Sequence, residues 1–349
     1  MSDQLPPEVG GAQAEPLLRA AGLTRHFHVG GMFAKQNLHA VDDVDLTINE
    51  REIVALVGES GSGKSTIARL LARIYKPTAG EIHYRGRPLS SLRSRKDLLW
   101  YRGEVPMVFQ DPFSAFNPVH RISHGIMRNL ALHRPDLTSR AERAAEAERV
   151  CQAVGLSTRM LTRFPHEMSG GERQRIGFAQ ALAVQPKLIL ADEPVSMLDV
   201  SIRAGILNLM VDLRNREDVS LLYITHDLAS ARYVADRIVV MYAGQIAESG
   251  PTETVLSDPQ HPYTRLLLSA VADPRDAEAD FAGDTGEPPR VINPGEGCRF
   301  RWRCPFAIDA CQTTTPLPRH IGAARVACHV AGRSEQSDAE PASSTAPAA

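Results

Sequence analysis

The nine residues GESGSGKST at 58–66 constrain this chain more than any other stretch. They fit the spacing G-x-x-x-x-G-K-[S/T], follow the apolar run IVALV (53–57) and precede the helical pattern IARLLARI (67–74). Strand, glycine loop and helix in that order make an anion cradle. Gly58, Gly61 and Gly63 let the backbone curl so that N–H groups face inward, and the helix adds the positive end of its dipole. Glu59, Ser60, Ser62 and Thr66 complete the loop. Lys64 is expected to reach the β- and γ-phosphates of a nucleotide, and Ser65 to hold magnesium.

Three further apolar runs share this design. VPMVF (105–109) leads into Gln110, LILA (188–191) into Asp192 and Glu193, and LLYI (221–224) into Thr225 and His226. Short, β-branched and bounded by polar residues, they read as buried strands. Helical patterns between them predict an α/β fold with a mostly parallel sheet covered on both faces. Ligands of such sheets bind beyond the carboxyl ends of the strands, where every one of these runs delivers its polar residues. Asp192 is expected to bind Mg2+, directly or through water, with Ser65 and Gln110 beside it. Glu193 is then free to orient and polarise an attacking water. A lone histidine after a strand is more often an ordinary surface or core residue; position on this edge makes His226, like Gln110, a catalytic candidate alongside Lys64.

A second glycine corner, MSGGERQR, occupies 168–175. Ser169 and Glu172 match a capping box, which explains the corner as a plain helix start. Two glycines at a helix N-terminus are also a ready anion site. Because the first loop envelops its own nucleotide, Ser169, Gly170 and Gly171 are expected to serve a nucleotide held by another molecule. The intervening segment 111–168 reads as a helical insertion, with strong helix formers at 138–152 and Thr138 or Ser139 as the N-cap.

Composition narrows the function. A net charge of −2 over 349 residues leaves no basic excess to draw the chain to nucleic acid. The apolar runs fall far short of the roughly 18 residues a membrane-spanning helix needs. Residues 1–16 show no basic start followed by an apolar stretch, so they read as a flexible lead and not a secretory signal. A cytosolic chain that meets a membrane only through a partner is expected. Residues 17–110 and 169–250 form the nucleotide-binding core, 251–333 an extension entered through a Pro/Gly/acid-rich linker at 273–297, and 334–349 a disordered tail. Four of the five cysteines, Cys298, Cys304, Cys311 and Cys328, cluster in that extension with spacing C-x5-C-x6-C-x16-C. In a reducing compartment this reads as a metal site before disulfides. The run from Arg299 to Arg303 is expected as a strand-like edge packed around that metal, and Cys151 as a small packing residue.

Taken in order, these elements resemble the ATP-binding subunits of ABC transporters. GESGSGKST resembles the Walker A loop, Gln110 the Q-loop glutamine and SGGERQR (169–175) the signature. LILADEP (188–194) resembles the Walker B strand, SMLD (196–199) the D-loop, and His226 the switch histidine. Met168, Glu172 and Met197 depart from the commonest residues without removing a phosphate donor. The resemblance implies a P-loop ATPase whose two copies face each other head to tail, each ATP lying between one chain's Lys64 and the other's Ser169. Phe27, in LTRHF (23–27), falls where the family stacks an aromatic on adenine; His26 and His28 are alternatives one register step away. DPQHPYTRLLLSAV (258–271), GCRFRWRCPFAIDAC (297–311) and VACH (326–329) resemble the dipeptide, oligopeptide and nickel import branch. Some of that branch hold a [4Fe-4S] cluster on such cysteines, zinc being the alternative. The resemblance implies a subunit on the cytoplasmic face of the plasma membrane, paired with a sister ATPase or with itself, two permeases and an extracytoplasmic binding protein. Peptides are the expected cargo, with oligosaccharides or nickel as alternatives. A soluble ABC ATPase of translation or DNA repair is the competing class; one cassette, a short insertion and this C-terminus weigh against it.

Overall fold

The structure is a computed structural model and describes residues 15–29, 36–111, 116–269 and 291–332. The expected tail, most of the lead and most of the linker therefore lie outside the described residues. In chain order the strands are β1 (Leu18–Val29), β2 (Gln36–Ile48), β3 (Ile53–Val57), β4 (Ala79–Tyr84), β5 (Arg87–Pro88), β6 (Met107–Val108), β7 (Leu188–Asp192), β8 (Ser220–Thr225), β9 (Arg237–Tyr242), β10 (Gln245–Pro251), β11 (Arg319–Ile321) and β12 (Ala324–Val326). The helices are α1 (Lys64–Leu71), α2 (Arg95–Glu104), α3 (Ile122–His133), α4 (Arg140–Ala153), α5 (Gly170–Leu182), α6 (Val200–Glu217), α7 (Leu228–Val234), α8 (Thr252–Ser257), α9 (Pro262–Ser269) and α10 (Asp309–Thr313).

An eight-stranded sheet in the order β11-β12-β10-β9-β3-β8-β7-β6 carries the molecule. Its central neighbours β9, β3, β8, β7 and β6 run parallel, as the apolar runs predict. All five side chains of β3 are buried, and they alternate between two cores. Ile53, Ala55 and Val57 face the side where α3 to α6 pack. Val54 and Leu56 face α1 and a second sheet. A strand buried on both faces cannot show polar alternation, which is why its sequence reads as an unbroken apolar run. Ile53, Val54, Leu56 and Val57 each contribute about 1.5–3 kcal/mol on burial.

The second sheet is antiparallel, in the order β2-β1-β4-β5, and packs over α1. The apolar-run reading of the sequence does not reveal it. Its strands carry interspersed polar and charged residues, and β1 and β2 pair through register shifts that break strict alternation. The VPMVF run also yields only a two-residue strand, Met107–Val108, because its partner β7 takes up the register at just two positions.

The predicted helix starts are local and appear as expected. Ser139 caps α4 with Glu142, and Ser169 caps α5 with Glu172, each as a reciprocal box. The C-terminal extension does not form a separate core. Its hairpin β11–β12 extends the main sheet through β10, and Cys298, Phe300, Cys311 and Cys328 belong to the same apolar cluster as β3. Cys151 is fully buried in that cluster. Among the described residues no helix is long and apolar enough to cross a membrane.

Candidate functional site

Parallel register builds the site. Val57 pairs with Thr225, Asp192 with Ile224 and Val108 with Ala191, so the loop after β3, the Asp192–Glu193 pair, His226 and Gln110 all emerge at one edge. The loop at 58–66 curls tightly. Gly58 and Gly63 both take positive φ, and a Cβ on either would lie 2.2 Å from a backbone oxygen, of Met241 and Ala40 respectively. No other residue fits at these two positions. Ser62 is buried and Glu59 half-buried, while Ser60 and Gly61 are exposed at the tip. Thr66 follows in the first turn of α1.

Lys64 is only 4% exposed and turns back into the loop. Its Nζ donates to the carbonyl oxygens of Gly58 and Glu59 at 2.7 and 2.8 Å, and to Ser62 Oγ at 3.4 Å. Burial lowers its pKa, against the opposing charges of Glu193, Asp192 and Glu59. Ser65 Oγ donates to Asp192 Oδ1 at 2.9 Å. Burial raises the pKa of Asp192, with Glu193 pushing the same way and Ser65, Arg69 and Lys64 opposing. A buried carboxylate with a hydroxyl beside it is a donor set suited to a hard divalent cation.

Glu193 stands at the centre. Its backbone has φ 45°, the left-handed region that costs an ordinary residue about 1–3 kcal/mol. Its N–H is fixed to Ile224 O at 3.0 Å. Two neighbours meet its Oε2: Gln110 Nε2 donates at 3.1 Å, and His226 Nδ1 lies at 3.5 Å. Gln110 Nε2 also reaches Ser196 Oγ at 3.4 Å, a residue that sequence reasoning placed only within the SMLD turn. The five candidates Lys64, Gln110, Asp192, Glu193 and His226 are thus gathered at one edge.

Ser169, Gly170 and Gly171 stand apart from that cluster. Ser169 is exposed, and its hydroxyl and N–H engage Glu172 at 2.9 and 2.8 Å. Gly171 is required by packing, since a Cβ there would lie 2.5 Å from Ile202 Cγ2 on α6. Beside this corner Met197 and Val200 are 60% and 79% exposed, an apolar pair on the surface.

Phe27 meets Tyr75 edge-on at 5.4 Å, with the Arg25 guanidinium 4.6 Å from its ring. The two histidines weighed against it are engaged elsewhere. His26 Nε2 is 3.0 Å from Asp42 Oδ1, and His28 Nδ1 is 2.7 Å from Asn37 Oδ1.

The cysteine segment corrects one expectation. Residues 299–303 form turns closed by Arg301 N–H to Cys298 O and Arg303 N–H to Phe300 O, and not a strand-like edge. The alternating Arg and aromatic side chains serve two turns whose arginines point into the protein. Arg299 reaches Asp42 and Ala243 O, and Arg303 binds Glu59 of the phosphate loop. Burial pushes the Cys298 thiol to about 11 and the Cys304 thiol to about 12, with the other cysteines contributing to both. Backbone N–H groups of Phe300, Phe306 and Val330 meet the sulphurs of Cys298, Cys304 and Cys328. Cys298, Cys311 and Cys328 are buried and Cys304 half-buried, and four thiols with N–H donors beside three of them form a donor set that would fit a thiolate-bound metal. Among the described residues the ligand group drawn within 4.8 Å is His26, His39 and Asp42, where Arg299 already supplies a cation.

A phosphate loop, paired acids, a glutamine, a histidine and a helix-capping serine-glycine corner on this sheet define an ATP-binding cassette. Comparison with known proteins agrees. Residues 41–196 match the family described as ABC transporter, and residues 247–311 the oligopeptide/dipeptide transporter C-terminal region. A protein of Sinorhizobium fredii named a probable peptide ABC transporter ATP-binding protein, y4tS, is 42% identical over 324 residues, covering 91% of this chain and 90% of its own length. YkfD of Bacillus subtilis, provisionally named an oligopeptide transport ATP-binding protein, is 41% identical over 320 residues, or 90% and 95% of the two chains. The dimeric ATP-binding cassette MJ0796 bound to ADP and Pi superposes with a TM-score of 0.60 at 27% identity, over 67% of this chain and 98% of that one. The chain therefore belongs to the ABC transporter ATP-binding subunits with an oligopeptide/dipeptide-type C-terminal region, and it is an ATPase.

Proposed function

We propose that this subunit hydrolyses ATP to drive import of dipeptides or oligopeptides. The observation that carries the catalytic part is the convergence of Gln110 and His226 on one oxygen of Glu193. Glu193 acts as the base that polarises the attacking water, and its two neighbours fix the carboxylate's orientation. ATP lies in the loop 58–66, where Lys64 exchanges its carbonyl partners for phosphate oxygens, which make stronger charge-assisted bonds. Ser65, Asp192 and Gln110 would hold Mg2+, which would supply charge neutralisation for the phosphates. Phe27 stacks on the adenine.

The exposed corner at Ser169, Gly170 and Gly171 completes the site of a second cassette, with Met197 and Val200 in the apposed face. That cassette is a sister ATPase or a second copy of this chain. A groove between β6, α3 and α5, lined by Phe109, Phe116, Asn129, His133, Gln174 and Val184, opens next to Gln110. Phe109 is 43% exposed there, and the buried Gln174 Nε2 has no hydrogen-bond partner among the described residues. This groove receives a helix of a permease, holding the subunit at the cytoplasmic face of the membrane and linking Gln110 to the transport pathway. Two permeases and an extracytoplasmic binding protein complete the importer. The four cysteines would hold a metal centre, a [4Fe-4S] cluster or a zinc ion, since four thiolates suit either.

Glu193→Gln tests the reading. ATP should remain bound, steady turnover should fall by about 10²–10⁴, and a closed dimer should accumulate in gel filtration with Mg-ATP. Turnover at the parental rate would remove Glu193 from the role of base.

A further inference from the structure

The turn between Cys298 and Cys304 sends two arginines away from the cysteines, and one of them ends in the phosphate loop. Arg303 Nη1 and Nη2 donate to the two carboxylate oxygens of Glu59 at 2.7 and 2.9 Å, a two-pronged pair joining residues 244 positions apart. The Arg303 side chain is 8% exposed. It is backed by the rings of Tyr242 and Phe300, 5.7 and 5.9 Å away. Those rings pack with Tyr263 of α9, which is fully buried and whose hydroxyl accepts the N–H of Glu59 at 2.9 Å. Glu59 is thereby held at both its backbone and its side chain by the C-terminal extension.

A carboxylate is an odd occupant of a loop that receives a polyanion. Glu59 bears electrostatically on Lys64, the residue expected to meet the phosphates, and Lys64 also hydrogen-bonds the Glu59 carbonyl. Left free, that carboxylate repels ATP and competes for the lysine. Paired in bidentate fashion, it is neutralised and held in place. We propose that Arg303 is a positioning residue for ATP binding: it neutralises and restrains Glu59, and so makes nucleotide affinity depend on the turn between Cys298 and Cys304. The inference rests on residues 58–66 being the ATP site and extends it to the cysteine turn.

The test measures binding of a fluorescent ATP analogue with Mg2+ to the full-length chain, alongside melting temperature and metal content. Arg303→Ala should weaken binding by about tenfold, the scale of one uncompensated like charge near the phosphates. Adding Glu59→Gln to that variant should return affinity to within about threefold of the parent, because the charge that Arg303 balanced is gone. A purely structural arginine would show no such rescue. Arg303→Ala binding like the parent, or a double variant no better than Arg303→Ala, overturns the proposal. If Arg303→Ala does not fold, Arg303→Gln with and without Glu59→Gln carries the same comparison. Lys64→Ala runs in parallel. Parental binding by that variant would overturn the loop as the ATP site and the proposal with it, whereas parental binding by Arg303→Ala beside a dead Lys64→Ala removes the arginine's role alone.

Discussion

The two glycine-rich corners of this molecule look alike in sequence and differ in structure. At 58–66 the chain closes on itself: Lys64 is buried against the loop's own carbonyls, and two glycines press against neighbouring backbone. At 169–172 the serine is exposed and caps its helix, while Gly171 packs against Ile202 of α6 and Gly170 against Leu198 just before it. One corner folds back on its own backbone; the other faces outward. The difference teaches that a shared motif chemistry, free N–H groups at a helix start, acquires its role from what surrounds it.

This contrast can be broken by experiment. The largest effect is expected from Gly170→Asp, which puts a like charge into the open corner. ATP-driven turnover of the assembled ATPase pair should drop by about 10²–10³, the scale of losing a transition-state donor, while ATP binding by the isolated chain persists. Loss of binding in the isolated chain would show that the second corner serves its own nucleotide, and the contrast would fail. Next comes Lys64→Ala, which should weaken ATP binding in the isolated chain itself by about 30-fold, or about 2 kcal/mol. An effect seen only after dimerisation would reverse the assignment of the two corners.

The smallest effect sharpens the closed corner's electrostatics. Because the pKa of Asp192 is raised on folding, the folded state holds its proton to higher pH than the unfolded chain does. Stability from this group is greatest in acid and falls as pH rises through the raised pKa. Asp192→Asn should therefore raise the melting temperature of the nucleotide-free protein by about 2 °C near pH 7, and by less at about pH 4. An equal gain at both pH values would show that burial of charge is not the cause.

Much of this architecture was legible because it is local. β3, β7 and β8 announce themselves as short apolar runs, since strands buried on both faces have no polar side to alternate with. The caps of α4 and α5 are written in Ser-x-x-Glu, each decided within four residues. The antiparallel sheet escaped because its strands are bent by register shifts and half exposed. The turns at 299–303 escaped because an alternation of Arg and aromatic residues imitates a strand, and only the targets of the arginines show otherwise. DPQHPYT carried a signal for Tyr263, but nothing in that stretch says that its hydroxyl meets Glu59, 204 positions earlier.

By itself the sequence determined the phosphate loop, the order of the polar strand ends and the helix starts, because glycine conformations, apolar runs and capping side chains act over a few residues. Only the tertiary structure decided that Gln110 and His226 share an oxygen of Glu193, and that the cysteine turn reaches into the loop through Arg303. Those contacts depend on strand register and on how distant segments pack, which no local preference encodes.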